Sequence, residues 1–119
     1  MKKAYYLKNC STCQRIIASL PNTEGMIFQN IKTEPITSQQ LEELCKLSRS
    51  YEKLFSKRAM LYKERGLKDK KLTENDYKNL ILEHYTFLSR PVFVVNDKIF
   101  IGNNNKTIES LISELNNNS

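Results

Sequence analysis

Residues 92–101 constrain the fold more than any other stretch of this chain. Val92-Phe93-Val94-Val95 and Lys98-Ile99-Phe100-Ile101 are short runs of branched and aromatic side chains, separated only by Asn96-Asp97. Branched side chains lose rotamer freedom in a helix and pack well on a pleated surface, so both runs are predicted strands. A two-residue connection closes when both residues take positive φ, which Asn and Asp tolerate. The segment therefore predicts a β-hairpin, ended by Gly102. Beyond it, Ile108, Leu111, Ile112 and Leu115 fall at i, i+3, i+4 and i+7, the spacing of an amphipathic helix. Asn116-Asn117-Asn118-Ser119 reads as a frayed tail.

The first thirty residues or so read as β-α-β. Ala4-Tyr5-Tyr6-Leu7 is a short apolar run suited to a buried strand. A polar turn, Lys8-Asn9-Cys10-Ser11-Thr12-Cys13, leads into a helical pattern of Cys13, Ile16, Ile17 and Leu20. Pro21-Asn22-Thr23-Glu24-Gly25 breaks it, and Met26-Ile27-Phe28 is a second strand candidate. The middle of the chain reads as helical. Thr37 is a predicted N-cap with Gln40 as its capping-box partner, above a stripe of Leu41, Leu44 and Cys45. Tyr51, Leu54 and Phe55 suggest a short helix. Lys57 to Lys71 reads as a basic connector interrupted by Gly66. Thr73 caps a further helix with Asp76 at N3, and Tyr77, Leu80, Ile81, His84 and Tyr85 line one of its faces.

The resulting order is β-α-β, a helical insertion, then β-β-α. It predicts an α/β, thioredoxin-like (glutaredoxin-like) mixed sheet of about four strands. One domain over 1–119 is expected, with its core at 3–31 and 90–116 and the insertion at 37–86. A generic α+β domain with a short mixed sheet is the alternative.

The 119 residues, 39% hydrophobic, suit one modest core. No stretch approaches eighteen consecutive apolar residues, so no membrane helix is expected. The start, MKKAYYLKNC, has too short an apolar run for a secretory signal, so a cytoplasmic location is expected. Three cysteines in that compartment argue against a disulfide scaffold and point to redox work, metal binding or burial. The net charge of +6 suits an anionic partner or a solvated surface. Lys and Glu are interleaved through most of the predicted helices, which favours the surface, and direct nucleic-acid binding is not expected. A monomer is expected.

Cys10 and Cys13 carry the chemistry. A sulfur at a helix N-terminus meets unpaired backbone N–H groups and the positive end of the helix dipole. Both favour thiolate over thiol, the form that attacks disulfides. Lys8 and Arg15 add positive charge nearby. Cys13 lies one turn on and is the expected resolving partner. The plain alternative is two ordinary buried cysteines. A zinc site of Cys10, Cys13, Cys45 and His84 is disfavoured, because structural sites usually draw on two close pairs of ligands. No metal or tightly bound cofactor is therefore expected. Cys45 is better explained by core burial, and His84 as a partly buried helix residue. Ser89-Arg90-Pro91-Val92 suits either an edge device or a cis-proline loop against the reactive cysteine. In the latter case Arg90 faces the thiolate or an anionic adduct.

These motifs together resemble the ArsC family, which includes arsenate reductases, Spx regulators and YffB-type proteins. Tyr6-Leu7-Lys8-Asn9-Cys10-Ser11-Thr12 is similar to the YffB-type nucleophile loop, and Cys10-Ser11-Thr12-Cys13 to the Spx redox switch. Phe55-Ser56-Lys57-Arg58 with Tyr62-Lys63-Glu64-Arg65-Gly66-Leu67 resembles the central segment. Leu88-Ser89-Arg90-Pro91-Val92 resembles the Arg-Pro motif, and Ile101-Gly102 the second strand end. The resemblance implies Cys10 as nucleophile, with Arg90, Arg58 and the Pro91 loop binding an anion or stabilising the thiolate. It implies a thiol or disulfide substrate, with glutathione as a co-substrate or a thioredoxin or glutaredoxin as reductant. Arsenate reductases carry arginines where this chain has Ser56 and Asn103. The Spx branch implies a different role, a redox sensor that binds the RNA polymerase α subunit. That branch carries a glycine where this chain has Arg49-Ser50.

Overall fold

The computed structural model describes residues 2–117. It divides into two compact units: the segment up to Glu34 joined with the segment from Arg90, and the intervening Pro35–Ser89. The discontinuous unit holds β1 (Lys2–Tyr6), α1 (Ser11–Ser19), β2 (Ile27–Asn30), β3 (Val92–Val95), β4 (Lys98–Ile101) and α5 (Asn105–Asn116). The insertion holds α2 (Ser38–Ser48), α3 (Met60–Glu64) and α4 (Glu74–Glu83), with 3₁₀ turns at Glu52–Leu54, Leu67–Asp69 and Tyr85–Phe87.

The four strands lie in the order β2-β1-β3-β4. β1 pairs parallel with β2 and antiparallel with β3, and β3 pairs antiparallel with β4. Ala4, Phe93 and Phe100 form one cross-strand row. They share a core with Val95, Met26, Ile16 of α1, and Leu111 and Leu115 of α5. Ala4, Phe93, Val95, Leu111 and Leu115 are fully buried, so shortening Leu111 to Ala is expected to cost about 2–5 kcal/mol. The hairpin turn is as predicted: Asn96 and Asp97 both have positive φ, 53° and 65°.

The insertion is built on aromatic contacts and local polar locks. Phe55 stacks on Phe87 at 5.3 Å and tilts against Tyr77 at 4.8 Å. Ser56 N–H donates to Phe87 O and Ser89 N–H to Leu54 O, each at 2.8 Å. Both capping boxes form as predicted, Thr37 with Gln40 and Thr73 with Asp76. Glu74 accepts from Tyr51 N–H at 2.6 Å, and Arg65 pairs bidentately with Glu83.

Several expectations are corrected. The basic connector contains α3 and the turn at Leu67–Asp69, a helix too short and too exposed to show periodicity. The helix expected around Tyr51–Phe55 is a single 3₁₀ turn. Strand β2 starts one residue late and runs to Asn30, with Ile27 and Phe28 exposed and Gln29 buried. It lies at the sheet's edge, where an apolar side chain has a neighbour on only one side. Cys45 is half-buried, unlike the fully buried Leu41 beside it. His84 ends α4 rather than lining its face, and its Nδ1 accepts from Thr86 N–H at 3.1 Å. The expected tail is shorter: Asn116 is the last residue of α5 and Asn117 its C-cap, while Asn118 and Ser119 lie outside the described residues.

Candidate functional site

The loop between β1 and α1 is held through its backbone. Ile31 N–H donates to Tyr6 O at 3.0 Å, extending the β1–β2 ladder. Asn30 Oδ1 accepts from Lys8 N–H at 3.4 Å, and Gln14 Nε2 donates to Lys8 O. Cys10 N–H donates to Leu7 O at 3.2 Å, and Cys10 O accepts from Gln14 N–H at 3.0 Å. These bonds set Cys10 at the N-cap of α1 with extended backbone, φ −89° and ψ 115°.

Its sulfur falls short of regular cap hydrogen-bond geometry, yet the helix terminus still governs it. Partial burial pushes the Cys10 thiol up. The backbone amides of Cys13 and Thr12, a hydrogen bond from the Cys13 thiol and the charge of Arg90 together outweigh that penalty. The net result is a thiol more acidic than an ordinary cysteine.

Cys13 behaves in the opposite way. It is fully buried, and burial is the main cause that pushes its thiol up to about 11. The adjacent Cys10 sulfur pushes it further, while the Leu7 amide and Arg90 oppose both. At neutral pH the arrangement is one thiolate-prone sulfur accepting a hydrogen bond from a neutral thiol. Cys10, Cys13 and Cys45 are all free thiols.

Arg90 acts on both sulfurs, and its peptide bond to Pro91 is cis. Thus the structure brings together Cys10, Cys13, Arg90 and the Pro91 loop. Lys8 and Arg15 have exposed side chains; the groups that shift the Cys10 thiol most are the amides, Cys13 and Arg90. Arg58 is exposed on the insertion. Sequence reasoning missed Asn30 and Gln14, which fix the loop through backbone atoms of Lys8, and the Leu7 amide. Among the described residues no three His, Cys, Asp or Glu side chains converge. No described helix is long and apolar enough to cross a membrane.

A β-α-β half and a β-β-α half sharing one mixed sheet, with a cysteine at the first helix N-terminus beside an Arg-cis-Pro loop, define a thioredoxin-like domain. The ArsC family model matches residues 5–111, and the chain belongs to the ArsC family. A curated relative, the global transcriptional regulator Spx 2 of Bacillus cereus, is 24% identical over 110 residues, covering 91% of this chain and 84% of the relative. An ArsC family related protein from Bacteroides fragilis superposes with a TM-score of 0.77 at 24% identity, covering 92% of this chain and 96% of that one. The arsenate reductase from Vibrio cholerae superposes at 0.75 with 19% identity, covering 94% and 95%. At these identities the structures establish the shared fold.

Proposed function

We propose that this chain is a thiol–disulfide oxidoreductase with Cys10 as nucleophile and Cys13 as resolving thiol. The observation that carries the reading is the opposed character of the two sulfurs, one favoured as thiolate and one held neutral within hydrogen-bond contact of it. The Cys10 thiolate attacks one sulfur of a substrate disulfide. A Cys10–substrate bond forms, the substrate's S–S bond breaks, and the other sulfur leaves as a thiolate.

Capture of Cys10 changes Cys13. The charge and hydrogen-bond demand of the Cys10 sulfur, two of the causes that hold Cys13 neutral, are gone. Burial remains, but the Leu7 amide and Arg90 now favour a Cys13 thiolate against less opposition. Cys13 gives up its proton and attacks Cys10, and the second substrate thiolate leaves. The substrate gains two electrons and the enzyme holds a Cys10–Cys13 disulfide. An external dithiol protein or two glutathione molecules return the electrons, in the cytoplasm. Arg90 steadies the leaving thiolate; Lys8 and Arg15 supply positive charge for an anionic substrate, and the Pro91 loop frames it.

A second reading rests on the relative named as a global transcriptional regulator. In it the same cysteine pair is a sensor without turnover, and the chain binds the RNA polymerase α subunit. The segment 57–71, with seven basic and two acidic residues, is a surface suited to such a partner. The test incubates reduced protein with glutathione disulfide and with arsenate, and follows NADPH use in coupled glutaredoxin and thioredoxin systems. Turnover that vanishes in Cys10→Ser supports the enzyme. No turnover, together with capture of the polymerase α subunit, overturns it in favour of the sensor.

A further inference from the structure

The two edges of the sheet are built differently. Edge strand β4 begins with Lys98, whose ammonium is locked to Glu114 at 2.9 Å. Charged residues on an edge strand discourage pairing with another chain. Edge strand β2, Ile27-Phe28-Gln29-Asn30, has no charge and no proline. Its Ile27 is 54% exposed and its Phe28 40% exposed.

The backbone of β2 shows what it is able to pair with. Ile31 N–H donates to Tyr6 O. In a parallel ladder, alternate residues point both polar groups to the same neighbour, so Gln29 and Ile27 face β1. Phe28 and Asn30, and Met26 before them, therefore face the open edge. Two of their groups are already used: Met26 N–H donates to Thr23 O at 3.0 Å, and Asn30 O accepts from Thr33 and Glu34 N–H. The edge is left with Phe28 N–H, Phe28 C=O, Asn30 N–H and Met26 C=O.

We propose that β2 pairs antiparallel with β2 of a second copy of this chain, about a twofold axis through Phe28. In that register Phe28 faces Phe28 and exchanges two hydrogen bonds with it. Each Asn30 N–H meets the other chain's Met26 C=O, so the remaining donors and acceptors are matched. The two phenyl rings fall side by side on one face, and Ile27 packs beside the other chain's Gln29. The exposed Glu24 before the strand lies toward the other chain's exposed Lys32 after it. Only a self-complementary edge satisfies a twofold axis in this way. The interface is small, so the dimer is weak and concentration-dependent. It displaces the expectation of a monomer and does not depend on the thiol chemistry. It also steadies Asn30, whose side chain holds the loop before Cys10.

Sedimentation velocity of the full chain, in reductant so that no intermolecular disulfide contributes, tests this from about 10 μM to about 1 mM. The expected result is a concentration-dependent rise from 13.9 kDa toward twice that mass. Phe28→Lys places two cations at the axis and is expected to stay at the single-chain mass, with its circular dichroism unchanged. Glu24→Lys is expected to weaken association several-fold, and the double variant Glu24→Lys with Lys32→Glu to restore it. A single-chain mass at every concentration overturns the proposal. So does a dimer that Phe28→Lys leaves intact, which would place the contact elsewhere.

Discussion

The mouth of α1 and its buried face one turn further in hold sulfurs of opposite character. Both belong to cysteine, and both feel Arg90. They differ in exposure and in what the backbone offers. Cys10 is half-exposed at the N-cap, where helix amides favour its charge. Cys13 sits inside the first turn, its own N–H directed to Cys10, and it is fully buried. Three residues of displacement along a helix therefore separate a thiolate-prone sulfur from one held neutral. Burial raises both thiols; for Cys10 the two helix amides, the Cys13 thiol and Arg90 outweigh it, and for the more deeply buried Cys13 the Leu7 amide and Arg90 do not. Cys45, half-buried in the insertion, is a third case, its thiol pushed up by burial and by Glu74.

Cys10→Ser is the strongest challenge to this contrast. It is expected to lower disulfide-reducing turnover by about 10³-fold or more, because the alkoxide is not available at neutral pH. Cys45→Ser, read by the same NADPH-coupled assay, should leave turnover unchanged. Cys13→Ala should retain the first attack and stall after it. Mass spectrometry is expected to find the substrate half trapped on Cys10, and the alkylation midpoint of Cys10 should rise because one stabilising hydrogen bond is lost. If the adduct is released as fast as in the unsubstituted chain, Cys13 is not the resolving thiol.

The buried thiol also makes a pH prediction. An acid whose folded value is raised destabilises the fold once the unfolded chain is able to ionise. Cys13 goes from an ordinary value of 9.0 to about 11, so stability is lost between those values as pH rises. Denaturant titration should show a drop of about 2 kcal/mol across that window, absent in Cys13→Ala. For Cys10 the sign is reversed: its lowered value adds stability above the unfolded value, and that increment is lost as pH falls through the folded one. The smallest expected effect is from Arg90→Ala. Its charge is one of several stabilisers, so the iodoacetamide rate of Cys10 at pH 7 should fall by about 2- to 10-fold. An unchanged rate would assign thiol activation to the helix amides and the Cys13 thiol without Arg90.

Much of the fold was legible because its signals are local. The hairpin at Asn96-Asp97 rests on two residues that accept positive φ, and both capping boxes rest on pairs three residues apart. The place of Cys10 at the N-cap of α1 was legible for the same reason, since a strand, a polar turn and a helical stripe surround it. Strand β2 was misread because its apolar residues point outward at an edge and a glutamine points in. The helix α3 was missed because five mostly exposed residues make no periodic pattern.

The sequence by itself determined the order of elements, the cysteine pair at a strand-to-helix junction and the Arg-Pro step before the third strand. These follow from side-chain period, turn chemistry and spacing, all of which act over a few residues. Only the tertiary structure decided that Arg90, some eighty residues away, acts on both sulfurs, that Asn30 and Gln14 fix the loop, and that one sheet edge is guarded and the other open. Those facts depend on strands distant in sequence becoming neighbours in one sheet. Which strands lie beside one another, and which are left at the edge, is settled by the packing of the whole core.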